Sequence, residues 1–205
     1  NVYSPLSSIF KLNLLEFVIQ YIYEDDERYF ANRYKPNNGC ISQAFTNMLN
    51  SEFERLNFAY RVVNKEIVEI TSEQEIATIE TAIDNTPRNI QLHLNRALEL
   101  YAQRPEGDYR NSIKESISAV EAFCREKTGE NTLGKALNKL EQNGIVFPAV
   151  LKQAFDKLYA YTNQPDSGIR HALMDDSGAY TPGGEEALFM LVSCSAFINY
   201  LGSKL

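Results

Sequence analysis

Histidine and cysteine are scarce in this chain, with two and three in 205 residues. Cys40, Cys124 and Cys194 lie far apart and form no CxxC pair. A zinc site of the usual Cys/His kind is therefore not expected. Disulfide staples are not expected either, which places the protein in a reducing cytoplasm. The chain has no glycine-rich phosphate loop and no dinucleotide fingerprint, so no cofactor is expected. The longest apolar run, Ala187 to Leu201, is too short and too broken by polar residues to span a bilayer. No signal-peptide pattern is recognisable. Basic charge is also in short supply: 20 Lys and Arg stand against 27 Asp and Glu, a net charge of −7. That excludes broad, sequence-blind adhesion to nucleic acid, which needs a basic surface to release counterions. It leaves room for a small basic pocket. The sequence opens at Asn1 without methionine, as a fragment or a processed product does.

What remains is ordinary soluble composition, 44% apolar and 23% charged, in a chain long enough for a real core. Periodicity predicts helices almost throughout. Ile9 to Tyr23 carries Phe10, Leu14, Phe17, Val18 and Tyr21 at helical spacing, followed by the acidic run Glu24 to Glu27, read as a solvated face and not a metal site. Ser42 to Asn57 uses Phe45, Leu49, Phe53 and Leu56. The period then changes: Phe58 to Val63 and Glu66 to Ile70 are β-branched and aromatic around Asn64-Lys65, which predicts a β-hairpin. Ser72 to Glu75 is a capping box that starts a helix with Ile76, Ile79 and Ile83. Asn85-Thr86-Pro87 ends it, and Pro87 can open the next. Asp108 is placed to cap the long amphipathic helix Tyr109 to Lys127, which Gly129 closes. Shorter helices follow Thr132 and Pro148, the latter turning Val150, Leu151, Phe155, Leu158 and Tyr159 inward; another short one is expected at Ile169 to Met174. Glu185 to Leu201 is apolar nearly all round, as a core helix or an interface helix is. The expected fold class is all-α. The expected division is residues 1–87, a helical region with a hairpin at about 58–70, and residues 88–205, a helical bundle.

Four constellations could carry chemistry. Arg170-His171 follows a loop of turn formers and opens the short expected helix. A guanidinium grips phosphate through parallel hydrogen bonds, and an imidazole moves protons near neutral pH. Together they suit attack of a ribose 2′-hydroxyl on its own phosphodiester. The bland alternative pairs Arg170 with Asp166 or Asp175 and leaves His171 as an interior hydrogen-bonding group. Arg88 and His93, read as lying near one side of a helix and offset by little more than one turn, are the second choice. Arg110, Asn111 and Lys114 open the long amphipathic helix and could bring a substrate-binding cation to the same place. Ser193-Cys194-Ser195 has core-like flanks and no base in reach, so it is not read as a nucleophile.

The passages DYRNSIKESISAVEAFCREKTG, TLGKALNKLEQNG, AFDKLYAYTNQPDSGIRHALMDD and EEALFMLVSCSAFINYL together resemble HEPN domains, in particular the C-terminal HEPN unit of AbiJ-like abortive-infection proteins. AYRVVNKEIVEITSEQEIATIETAI is similar to the N-terminal region that accompanies that unit. The resemblance implies a HEPN-type helical bundle, usually dimeric, of a kind that often cleaves RNA without a metal in bacterial antiviral defence. RNA, a second copy, and an antitoxin or regulatory protein are the partners it implies; no membrane is. The family's site pairs an arginine with a histidine four to six residues later, near the start of a late helix. By position Arg170 matches the arginine. Positions 174 to 176, however, are Met174, Asp175 and Asp176. That leaves two outcomes: His171 does the proton work, or this branch is a non-catalytic dimeric module that binds RNA, a nucleotide or a protein.

Overall fold

The structure is a computed structural model and describes residues 5–30, 40–56, 60–69, 72–163, 169 and 181–205. It is an all-α fold with one small hairpin. Among the described residues there are eight helices and two strands: α1 (Pro5–Phe30), α2 (Ile41–Arg55), β1 (Tyr60–Val63), β2 (Glu66–Glu69), α3 (Glu73–Asp84), α4 (Arg88–Ala102), α5 (Tyr109–Thr128), α6 (Leu133–Gln142), α7 (Ala149–Thr162) and α8 (Gly184–Gly202). Among these residues no helix is long and apolar enough to cross a membrane. The short helix expected at Ile169 to Met174 lies outside the described residues, apart from the buried Ile169. The chain forms two compact units. One holds residues 1–73 with 104–106; the other holds residues 74–103 and 107–205.

In the first unit α1 packs on α2, and the hairpin packs on both. The strands pair antiparallel, Val62 opposite Ile67. The turn between them holds Asn64 and Lys65 at φ 52° and 133°, the positive-φ pair that a two-residue hairpin connection uses. Leu12, Ile19, Phe53, Val62 and Ile67 form the core. Polar side chains fix the pieces to one another. The Asn50 amide donates to the Val62 carbonyl oxygen at 3.0 Å and accepts from its N–H at 2.7 Å, so one side chain serves as a short extra strand. Glu16 accepts the Ile67 N–H at 2.8 Å. Arg104 donates to the Ile67 carbonyl, to Asn13 and to Glu16, its guanidinium only 13% exposed. Asp26 departs from the solvated reading of its acidic run. It is buried and accepts the Ser42 N–H at 2.7 Å, satisfying an orphan donor in the first turn of α2.

α1 also departs from its expected orientation. The stripe singled out by spacing faces solvent: Phe10, Leu14, Phe17, Val18 and Tyr21 are 68%, 54%, 64%, 38% and 56% exposed. The opposite face, with Leu12 and Ile19 buried and Leu15 and Tyr23 partly so, makes the core. The helix is apolar on two sides, so periodicity alone could not choose between them.

The second unit is organised on α5, which packs against α4, α8, α6 and α7. Its stripe Ile113, Ile117, Val120, Phe123 and Cys124 is buried as the sequence predicts. Small residues let the helices approach: Ser112 and Ser116 on α5 and Ser195 on α8 have no exposed surface, and the Ser112 hydroxyl donates to the Ala97 carbonyl of α4 at 2.8 Å. Gly129 closes α5 at φ 75°. α8 is the core helix, with Ala187, Met190, Leu191, Cys194, Phe197, Ile198 and Leu201 all buried. Asn199 ties it to α3 by donating to the Thr78 carbonyl at 3.0 Å. α7 is less inward than expected: Val150 is 78% exposed, and Leu151, Phe155, Leu158 and Tyr159 are only half-buried.

Candidate functional site

Arg170 and His171, the first-choice pair, lie outside the described residues. The helix ends that flank them in sequence are described. The chain leaves α7 at Asn163 and returns at Thr181, just before α8. Near the end of α7, the Tyr161 hydroxyl is buried and has no hydrogen-bond partner among the described residues. Burial first, and then the nearby Glu186 carboxylate in the opening turn of α8, raise its pKa. Leu158, Tyr161, Glu186, Phe189 and Met190 line an open apolar pocket of about 230 Å³ between these two helix ends. Glu186 also folds back to accept the Gly183 N–H at 2.8 Å, closing the start of α8.

The opening of α5 comes to the same end of the unit. The Tyr109 ring lies about 3.5 Å from where a side chain on Gly184 would begin. A Cβ on Gly107 would stand 2.5 Å from that ring and 2.6 Å from the Tyr101 carbonyl oxygen, so only glycine lets the α4–α5 connection pass here. Arg110, half-buried, follows directly on α5. Asn111 is occupied as part of the helix cap: its backbone N–H reaches Asp108 at 3.3 Å and its side-chain amide at 2.7 Å. Lys114, one turn on, is exposed. The proposed substrate-binding trio therefore begins beside the start of α8.

Arg88 and His93 share α4 but not one face. Five residues at ~100° each separate their side chains by roughly 140° around the axis. Arg88 is exposed in the first turn. His93 turns to α5, where its Nδ1 meets Glu115 Oε2 at 2.6 Å, with the two side chains 39% and 26% exposed. Arg96, one turn further along α4, pairs with Glu99 at 2.6 Å. That hydrogen bond, then the charge of Glu99, raise the Arg96 pKa further. What the arrangement offers chemically is an imidazole held by a carboxylate and still reached by solvent. Glu115 was not visible as its partner from the sequence, because the register between α4 and α5 is set by the path of residues 103–108 and not by any spacing along one helix. The same holds for Tyr159, whose hydroxyl donates to Glu121 across α7 and α5 at 3.0 Å. Among the described residues no group of His, Cys, Asp and Glu is placed to hold a metal.

Residues 3–85 match the family model of AbiJ N-terminal domain 4. The match supports an AbiJ-like protein and suggests a role in abortive infection, the defence of bacteria against phage. It spans residues 3–73 of the first unit and continues through the end of α3. No curated protein and no solved structure matches the chain.

Proposed function

We propose that this AbiJ-like chain acts in abortive infection as a metal-independent endoribonuclease, with residues 88–205 forming a HEPN-type unit. The observation that carries the reading is the AbiJ match over residues 3–85, the region that the HEPN-like passages follow in the sequence. Arg170 holds the scissile phosphate through two parallel hydrogen bonds. His171 takes the proton from the adjacent 2′-hydroxyl, whose oxygen attacks phosphorus. The P–O bond to the 5′-oxygen breaks, and that oxygen leaves as a hydroxyl after receiving a proton. The products are a 2′,3′-cyclic phosphate and a 5′-hydroxyl end. Arg110 and Lys114 add positive charge along the strand, and Asn111 hydrogen-bonding groups. Two copies share the cleft, and an antitoxin or regulatory protein restrains it.

The test is RNA incubated with purified protein and excess chelator, comparing wild type with His171→Ala, Arg170→Ala and His93→Ala. The expected result is cleavage by wild type and a loss of about 10²–10⁴-fold in His171→Ala, with His93→Ala near wild type. Loss confined to His93→Ala moves the site to α4. RNA left intact by wild type, or cut equally by His171→Ala, overturns the assignment. The net charge of −7 and the absence of a histidine at 174–176 favour one second reading, a non-catalytic module that binds RNA, a nucleotide or a protein; RNA bound but uncut is its signature.

A further inference from the structure

The outward face of α1 is an apolar surface that its own unit does not use. A helix apolar on opposite sides has two faces to cover. Leu12, Ile19, Leu15 and Tyr23 account for one. Phe10, Leu14, Phe17, Val18 and Tyr21 make the other, a stripe running three turns with every member more than a third exposed. At the size of these side chains the stripe presents on the order of 500 Å². That reaches the range in which an exposed apolar patch marks an interaction site.

We propose that this stripe binds the same stripe of a second copy, the two α1 helices running antiparallel about a two-fold axis near Phe17. Two features on α1 select that occupant. The first is area: two such stripes face to face remove roughly 1,000 Å², the size at which a specific interface becomes credible. The second is charge. The acidic run Glu24 to Glu27 lies at one end of the stripe and Lys11 at the other. Within the run Glu24 pairs with Arg28 and Glu27 with Lys65, each at 2.9 Å or less. Lys11 and Asp25 are exposed and make no ion pair among the described residues. At ~100° per residue, Lys11 and Asp25 fall on the same flank of the stripe. A two-fold axis normal to the plane of two antiparallel helices brings matching flanks together, so Lys11 of each copy comes within a turn of Asp25 of the other. Parallel pairing would set the two acidic runs side by side, and like charges there repel. The interface is isologous and closes at two copies. It is a separate contact from the two-copy cleft proposed for residues 88–205.

The experiment is light scattering coupled to gel filtration, with sedimentation for the dissociation constant, on the full chain. Phe17→Glu lies on an exposed position, so helicity by circular dichroism stays at the wild-type level. The expected result is that this variant halves the mass, with the dissociation constant raised about 100-fold or more. Lys11→Glu and Asp25→Lys each weaken association, and the double variant Lys11→Glu/Asp25→Lys restores it. A wild type that is monomeric throughout, or a Phe17→Glu variant of unchanged mass, overturns the proposal, as does failure of the double variant to recover. RNA cleavage measured on Phe17→Glu separates the two readings: cleavage kept by a variant of halved mass shows that the copies sharing the cleft do not meet through α1, and cleavage lost with the mass shows that they do.

Discussion

α1 is apolar on two sides and α8 nearly all round, and they end in opposite circumstances. α8 is enclosed by its own unit, and Phe189 is its one exposed large hydrophobic side chain. α1 is enclosed on one side and open on the other, with six large hydrophobic side chains exposed, Tyr29 beside the five of the outer stripe. The lesson concerns what an apolar pattern encodes. It says that a surface must be covered and leaves open whether the cover comes from the same chain. For α8 the cover is α5 and α4, brought close by Ser112, Ser116 and Ser195. For α1 the hairpin and α2 are too small to wrap a 26-residue helix, so half of its apolar surface is left outside.

The sharpest way to break this comparison is a matched pair of truncations. Leu191→Ala empties space in the middle of α8, where Leu191 has no exposed surface, and is expected to cost about 4 kcal/mol of unfolding free energy. Phe17→Ala removes a larger side chain from the outer face of α1. In dilute protein it is expected to shift stability by no more than about 0.5 kcal/mol. Urea unfolding at low protein concentration measures both. A Phe17→Ala cost equal to that of Leu191→Ala would mean that the outer face of α1 is buried within the chain itself, and the contrast would vanish.

The first unit compensates for its small apolar core with buried polar ties, and the Arg104 guanidinium is the chief of them. It reaches Glu16, Asn13 and the Ile67 carbonyl with little exposure. Arg104→Ala leaves the largely enclosed Glu16 carboxylate with the Ile67 N–H as its one hydrogen-bond donor among the described residues. The expected loss is about 3 kcal/mol, because breaking one partner of a buried pair strands the other charge. The loss should appear in the unfolding of the first unit and leave that of the second in place. Two probes follow it: tyrosine fluorescence and hydrogen exchange at the Ile67 amide. Unchanged exchange there would show that Arg104 is incidental to the hairpin.

Much of the architecture was legible in the sequence wherever a residue type has one local job. Pro87, Asp108, Gly129 and Pro148 stand at helix ends as read, and Asn64-Lys65 turns the hairpin. The buried stripes of α3 and α5 were legible because each of those helices has a single apolar face. The inner face of α1 was not legible, since both of its faces satisfy the helical period. Asp26 was misread because its neighbours Glu24, Asp25 and Glu27 are solvated, and only the approach of α2 makes one carboxylate of the run a cap. The candidate site was legible only as residue types. Glu115 beside His93 depends on helix register, which the sequence of neither helix contains.

The smallest effect tests whether α8 is as dry as its role requires, set against a thiol of the first unit. Burial pushes Cys194 up to about 12 from 9.0, and burial with help from Glu121 does the same for Cys124 on α5. In the unfolded chain both thiols titrate near 9.0. Below that pH both states hold the proton, and the stability linked to these thiols is fully present. Above it the unfolded chain gives up protons that the folded chain keeps, so stability falls as pH rises from about 9 to about 12. The slope is about 1.4 kcal/mol per pH unit for each thiol. Cys194→Ala removes one of the two, and urea midpoints across that window should flatten by that amount, whatever the variant loses at neutral pH. Cys40, half-exposed before α2, is expected to react with a thiol reagent in the folded chain, and the buried Cys124 and Cys194 only on unfolding. An unaltered slope in Cys194→Ala, or rapid labelling of Cys194 at neutral pH, would put water against α8 and make it an open helix like α1.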